Sequence, residues 1–291
     1  TAVAGNVQFD AGTATFTGPV DIDGTLDVNG ATSLSFAGAV MANVVDIEDT
    51  ADADVTVAAG SVITADAGNL TNADQLSIGA GGGLVASGTL TNEGTGTLTF
   101  ANAGTLSAGG AAQGTVTNQG ALTVTSGIVT TDGDAGGAAD VLDVIANTGT
   151  IMVTAGELEF ATLNSSAGLI TSAGELDGNV NLTGTAGLDL NAGGSISGTL
   201  DNQSSTAITL AGDVDGAFTQ QTTAGAQTTV DGAMTFGDIV DVDAGTLIIG
   251  AATTATGAVT VDGAGTELAV NDGQTLTALA GVTSSVAINL D

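Results

Sequence analysis

Apolar and polar residues alternate along almost the whole chain. Val20-Asp-Ile-Asp, Leu26-Asp-Val-Asn, Val180-Asn-Leu-Thr, Leu188-Asp-Leu-Asn and Val259-Thr-Val-Asp each place every second side chain on one side of the backbone. A run lasts about four to six residues and then meets Gly, Asn or Asp, the pattern of short half-buried strands joined by tight turns. Apolar residues do not recur at helical spacing, and 46 glycines would weigh heavily on helices. The alternation therefore predicts an all-β protein.

A longer period lies over the short one. Leu70-Thr-Asn, Leu90-Thr-Asn, Val116-Thr-Asn, Ile145-Ala-Asn and Leu200-Asp-Asn read as one structural position visited repeatedly, with Asn72, Asn92, Asn118 and Asn147 spaced 20, 26 and 29 residues apart. Imperfect periods in this range mark a solenoid whose coils differ in length. The expectation is one domain spanning residues 1–291, a right-handed parallel β-helix of about 11–14 coils. Each coil would contain three strands and three turns, with glycine at the corners and stacked asparagines forming a hydrogen-bonded ladder. In residues 88–110, Leu90, Leu98 and Leu106 would point inward from three successive sides. Sandwiches and propellers also use short strands, but usually with aromatic anchors and more proline than the single Pro here.

The segments from Leu90-Thr-Asn-Glu-Gly through Gly96-Thr-Leu-Thr-Phe to Gly104-Thr-Leu-Ser-Ala, together with Val116-Thr-Asn-Gln-Gly-Ala-Leu-Thr-Val, resemble the repeats of filamentous-haemagglutinin-like adhesins and autotransporter passengers. The resemblance is clearest over residues 88–200. It implies a β-helix and a secreted, cell-surface setting. The chain departs from those families in showing neither a β-barrel translocator nor a secretion-signal domain, and in lacking every basic residue.

Composition removes whole chemistries. The chain has 32 carboxylates and no Lys, Arg, His, Cys, Trp or Tyr, for a net charge of −32. Without His, Cys or Lys there is no Ser–His triad, thiolate nucleophile or Schiff base. Nucleic acid is excluded as a partner because phosphate contacts need Lys or Arg. No apolar run approaches the ~20 residues of a membrane-spanning helix. Apolar residues nonetheless make up 43% of the chain, enough for a core built mainly from Ala, Val, Leu and Ile. With no cationic side chain, folding must rest on backbone hydrogen bonds and close apolar contact. A medium rich in salt or divalent cations would screen the charge.

The acidic clusters are the only constellations with site chemistry. Asp21, Asp23 and Asp27, Asp213 with Asp215, Asp241 with Asp243, and Asp132 with Asp134 have the spacing of oxygen-ligand loops that Ca²⁺ could use. Strand alternation alone would also turn each pair toward solvent. No cofactor is required, and Ca²⁺ is the one candidate. Glu157, Glu159 and Glu175 could be imagined as a glycosidase pair, but the aromatic platforms and basic residues that hold sugars are missing, so no enzyme is expected. Thr-x-Thr runs, such as Thr13 with Thr15, Thr97 with Thr99 and Thr123 with Thr125, are the kind of text with which some solenoids bind ice. Their 26-residue spacing repeats only once, and threonine is simply a good exposed strand residue.

The alternation starts at Val7-Gln-Phe9 and runs to Val286-Ala-Ile288-Asn-Leu290, with nothing that reads as a cap. Uncapped solenoid ends invite pairing with other molecules. A chain opening at Thr1, with no Lys or Arg for trypsin-like proteases to cut, reads as a processed external material. The functional expectation is a non-enzymatic extracellular structural protein that assembles with itself head to tail into a filament, sheath or surface layer. The alternative is the passenger rod of a secreted adhesin that holds a cell-surface or polysaccharide ligand.

Overall fold

A computed structural model describes residues 1–30, 32–48, 54–110, 113–131, 142–221, 227–286 and 288–290. The chain forms two compact units, Thr1–Ala161 and Thr162–Asp291. Both are parallel β-solenoids, together of about 13 turns, and no helix occurs among the described residues. Each coil contributes a strand to each of three faces. In one coil these are Gln75–Ile78 on the first face, Gly82–Ala86 on the second and Leu90–Asn92 on the third.

In the first unit the first face stacks seven strands, from Gly12–Phe16 to Thr150–Val153, without a register shift. Two inward columns follow from that register. One runs Ala14, Leu34, Val55, Leu76, Leu98, Leu122, Ile151, and the other Phe16, Phe36, Val57, Ile78, Phe100, Val124, Val153. Phe16 and Phe36 stack with ring centroids 5.2 Å apart. Leu90, Leu98 and Leu106 are all buried, on the third, first and second faces in that order. Burying a leucine of this kind contributes about 2 kcal/mol, and every coil repeats the contribution.

The second unit is built alike. Its first face stacks seven strands from Leu169–Ser172 to Ile288–Leu290. Its third face runs from residues 180–182 of the strand Glu175–Leu182 through Leu200–Asn202, Phe218–Gln221, Val240–Ala244 and Val259–Val261 to Val282–Ser284.

Corners are where residue type is most constrained. Gly96, Gly120 and Gly149 follow one another at the turn into the first face; a Cβ on Gly120 would collide with the carbonyl oxygen of Gly96, and one on Gly149 with that of Gly120. Side-chain-free backbone is what lets successive coils approach there.

Candidate functional site

The most ordered polar feature lies inside the first unit. Asn72, Asn92, Asn118 and Asn147 occupy one inward position on the third face, in register on successive coils, and all four are buried. The Nδ2 of Asn72 donates to Asn92 Oδ1 at 2.8 Å, that of Asn92 to Asn118 Oδ1 at 2.8 Å and that of Asn118 to Asn147 Oδ1 at 2.7 Å. Remaining amide hydrogens reach backbone carbonyls, including Ala121 O at 3.0 Å and Thr150 O at 3.1 Å. The ladder anticipated from spacing is therefore present, and it forms part of the core. Its first acceptor, Asn72 Oδ1, has no partner among the described residues, because the residue in register on the preceding coil is Ile47.

One buried carboxylate escapes a reading based on acidic clusters. Asp143 is fully buried and accepts from the backbone amides of Ala108 at 2.7 Å and Gly114 at 2.6 Å. It clasps the connection between the second and third faces. Extending the alternation back from Asn147 and Ile145 places Asp143 inward, so the signal was in the sequence.

The candidate metal ligands lie where alternation puts them. Asp21 and Asp23 are exposed on the second face of the first unit. Asp27 lies round the corner on the third face, past a register shift between Ile22 and Thr25. In the second unit Asp213 and Asp215 are exposed on the second face, and Asp213 Oδ1 accepts from the Thr235 amide at 2.6 Å. Asp241 and Asp243 are half-buried on the third face, where Gln221 Nε2 donates to Asp243 Oδ2 at 3.0 Å. Asp132 and Asp134 lie outside the described residues. Among the described residues no group of three or more acidic side chains is close enough to hold a metal ion. Any cation at these pairs would have to complete its six to eight oxygens with water.

Stacking puts like charges side by side. Asp27 and Asp46 are register partners. Burial pushes the Asp46 carboxyl above its ordinary value, and Asp27 and then Glu93 raise it further. Asp241 is raised by burial, then by Asp243 and Asp262, and by a side-chain hydrogen bond with Asp243.

Glu159 Oε2 accepts from Thr130 Oγ1 at 2.9 Å on the second face of the first unit, while Glu175 belongs to the second unit. The Thr-x-Thr runs divide between faces: Thr13, Thr15, Thr97, Thr99 and Thr123 stand on the first, Thr91, Thr115 and Thr117 on the third.

The outermost described coils are open. Around the last strands of the second unit, Leu268, Leu276, Val282, Ile288 and Leu290 surround a hollow of about 360 Å³, with Val282 and Leu290 strongly exposed. At the first coil of the first unit, Val3, Phe16 and Val20 line an opening of about 420 Å³. No helix among the described residues is long and apolar enough to cross a membrane. Comparison with protein-family models, with curated proteins and with solved structures finds no match.

Proposed function

We propose that the chain is a non-enzymatic, extracellular structural protein whose solenoid coils pair end to end with those of a second copy. The observation that carries this reading is the apolar hollow at the last described strands of the second unit. Among the described residues the strands Leu276–Ala278, Val282–Ser284 and Ile288–Leu290 each pair with a neighbour on one side, and Leu276, Val282 and Leu290 line the apolar hollow beside them. Such an edge presents unsatisfied backbone groups together with apolar surface, which a parallel coil of the same cross-section satisfies. In the first unit the strands Ala2–Val3, Val7–Phe9 and Gly12–Phe16 likewise each pair on one side among the described residues. Repulsion between acidic walls opposes assembly, and calcium or another divalent cation is proposed to offset it.

Electron microscopy and sedimentation at rising salt test the proposal. Filaments or linear oligomers are expected, and Ile288→Glu combined with Leu290→Glu should abolish them while the far-UV circular dichroism stays that of the parent. Only short isolated particles at high concentration and salt would overturn it.

A second reading, the stalk of a secreted adhesin, draws on the haemagglutinin-like repeat text between residues 88 and 200. A flanking anchor or translocator in the full reading frame favours the stalk over the polymer.

A further inference from the structure

The register of the first face in the first unit assembles something that linear spacing conceals. Thr15, Ser35, Thr56, Ser77, Thr99 and Thr123 are partners on six successive strands. All six point outward, exposed or half-exposed. Among the described residues none of the six hydroxyls makes a hydrogen bond within the protein. Two residues back along each strand, a second column runs Thr13, Ser33, Asp54, Gln75, Thr97 and Ala121. The two columns form a grid of about 4.8 Å between coils and about 6.6 Å along the strands. In a chain of net charge −32, the hydroxyl column carries no carboxylate over these six strands; it continues to Met152 on the seventh, and Asp54 is the one carboxylate of the second column.

An exposed hydroxyl gains little by itself, since water competes for it on equal terms. A rigid in-register array gains only against a partner that is itself rigid and periodic, because the ordering cost is then already met on both sides. The partner must also be uncharged and must both donate and accept, as a hydroxyl does. A neutral sugar polymer would want an aromatic platform, and the first-face phenylalanines Phe16, Phe36 and Phe100 stand in the inward column. We propose that this strip binds the ordered water of an ice surface, with the hydroxyls of Thr15, Ser35, Thr56, Ser77, Thr99 and Thr123 as its contact groups.

The test is partition of the full chain into slowly growing ice, read as protein in the melted ice against protein in the liquid, with crystal shape observed in parallel. The parent is expected to be enriched in ice several-fold over an inert protein and to facet the crystals. Thr56→Glu and Thr99→Glu each put a carboxylate into the column and should abolish the enrichment. Thr99→Val keeps the shape and strand preference without the hydroxyl and should reduce it. Thr209→Glu, on the first face of the second unit, should leave it unchanged. Exclusion of the parent from ice overturns the proposal, as does equal enrichment of parent and the two glutamate variants. Retention on insoluble cellulose without partition into ice would reassign the strip to a sugar polymer and would equally overturn it.

Discussion

The inward corner of the third face is filled differently in the two units. In the first unit it holds Asn72, Asn92, Asn118 and Asn147 on consecutive coils, each amide donating to the next. In the second it holds Leu182, Asn202, Gln220, Val242 and Val261 in register. Asn202 turns to its own surroundings, donating to Thr228 Oγ1 at 3.1 Å and accepting from the Ser204 amide at 3.1 Å. Gln220 is fully buried, and among the described residues neither its Oε1 nor its Nε2 has a partner. An amide stacked on an identical amide at the coil spacing meets a donor opposite an acceptor every time. A side chain one methylene longer misses that plane and carries the desolvation cost without return. A polar core column thus works when every rung is the same residue.

Breaking the ladder in its middle should have the largest effect. Asn118→Leu removes the acceptor for Asn92 and the donor to Asn147 and Thr150, and should cost about 3 kcal/mol of unfolding free energy. Asn202→Leu should cost about 1 kcal/mol. Guanidinium titration followed by far-UV circular dichroism suits a chain without Trp or Tyr; equal losses for the two variants would remove the distinction between the units. Next in size, Gln220→Met keeps the shape and discards the unpartnered amide, so it should raise stability by about 1–2 kcal/mol. A loss would mean that Gln220 has a partner, such as a buried water.

Extending the ladder is a subtler test. Ile47 precedes Asn72 in register, so Ile47→Asn can donate to the unpartnered Asn72 Oδ1. It should cost only about 1 kcal/mol, against about 3 kcal/mol or more for Ile63→Asn, which gains no such rung. Similar costs at the two positions would show that the open acceptor contributes nothing.

The smallest effect concerns charge. Asp46 is raised above 3.8, its ordinary value, by burial, by Asp27 and by Glu93, so the folded protein holds that proton more tightly than the unfolded chain. Its stabilising contribution is complete below the ordinary value and is lost as pH rises through the folded value. Acidification from neutral pH toward that range should therefore raise the thermal midpoint, where paired carboxylates in most proteins would lower it. Asp46→Thr, which installs the residue found at Thr71 on the next coil, should raise stability at pH 7 by about 0.5 kcal/mol and flatten the acid rise. A parent midpoint that falls between pH 7 and pH 5 would contradict this reading. EDTA checks the calcium expectation directly: an unchanged midpoint and unchanged assembly would end it.

Much of the architecture was legible because strand alternation is local. Leu90, Leu98 and Leu106 face the core as period two requires, and the recurring Leu-Thr-Asn marks the ladder position in the sequence itself. Asp21, Asp23, Asp213 and Asp215 point to solvent for the same reason, which is also why their spacing resembled a ligand loop. Asp143 does not stand out among the acidic clusters, because a lone inward carboxylate bonded to two backbone amides forms none.

Taken alone, the sequence determined the all-β solenoid, the apolar filling of its interior, the glycine corners and the absence of basic chemistry, since each follows from residue type and near-neighbour order. The register of one coil on the next was decided only in three dimensions. Coil lengths differ, so a ladder that is straight in space is irregular along the chain. Thr15 and Ser35 become neighbours of Thr56 and Ser77 only after the turns have absorbed the difference, and Gln220 becomes a broken rung only when it is set beside Asn202.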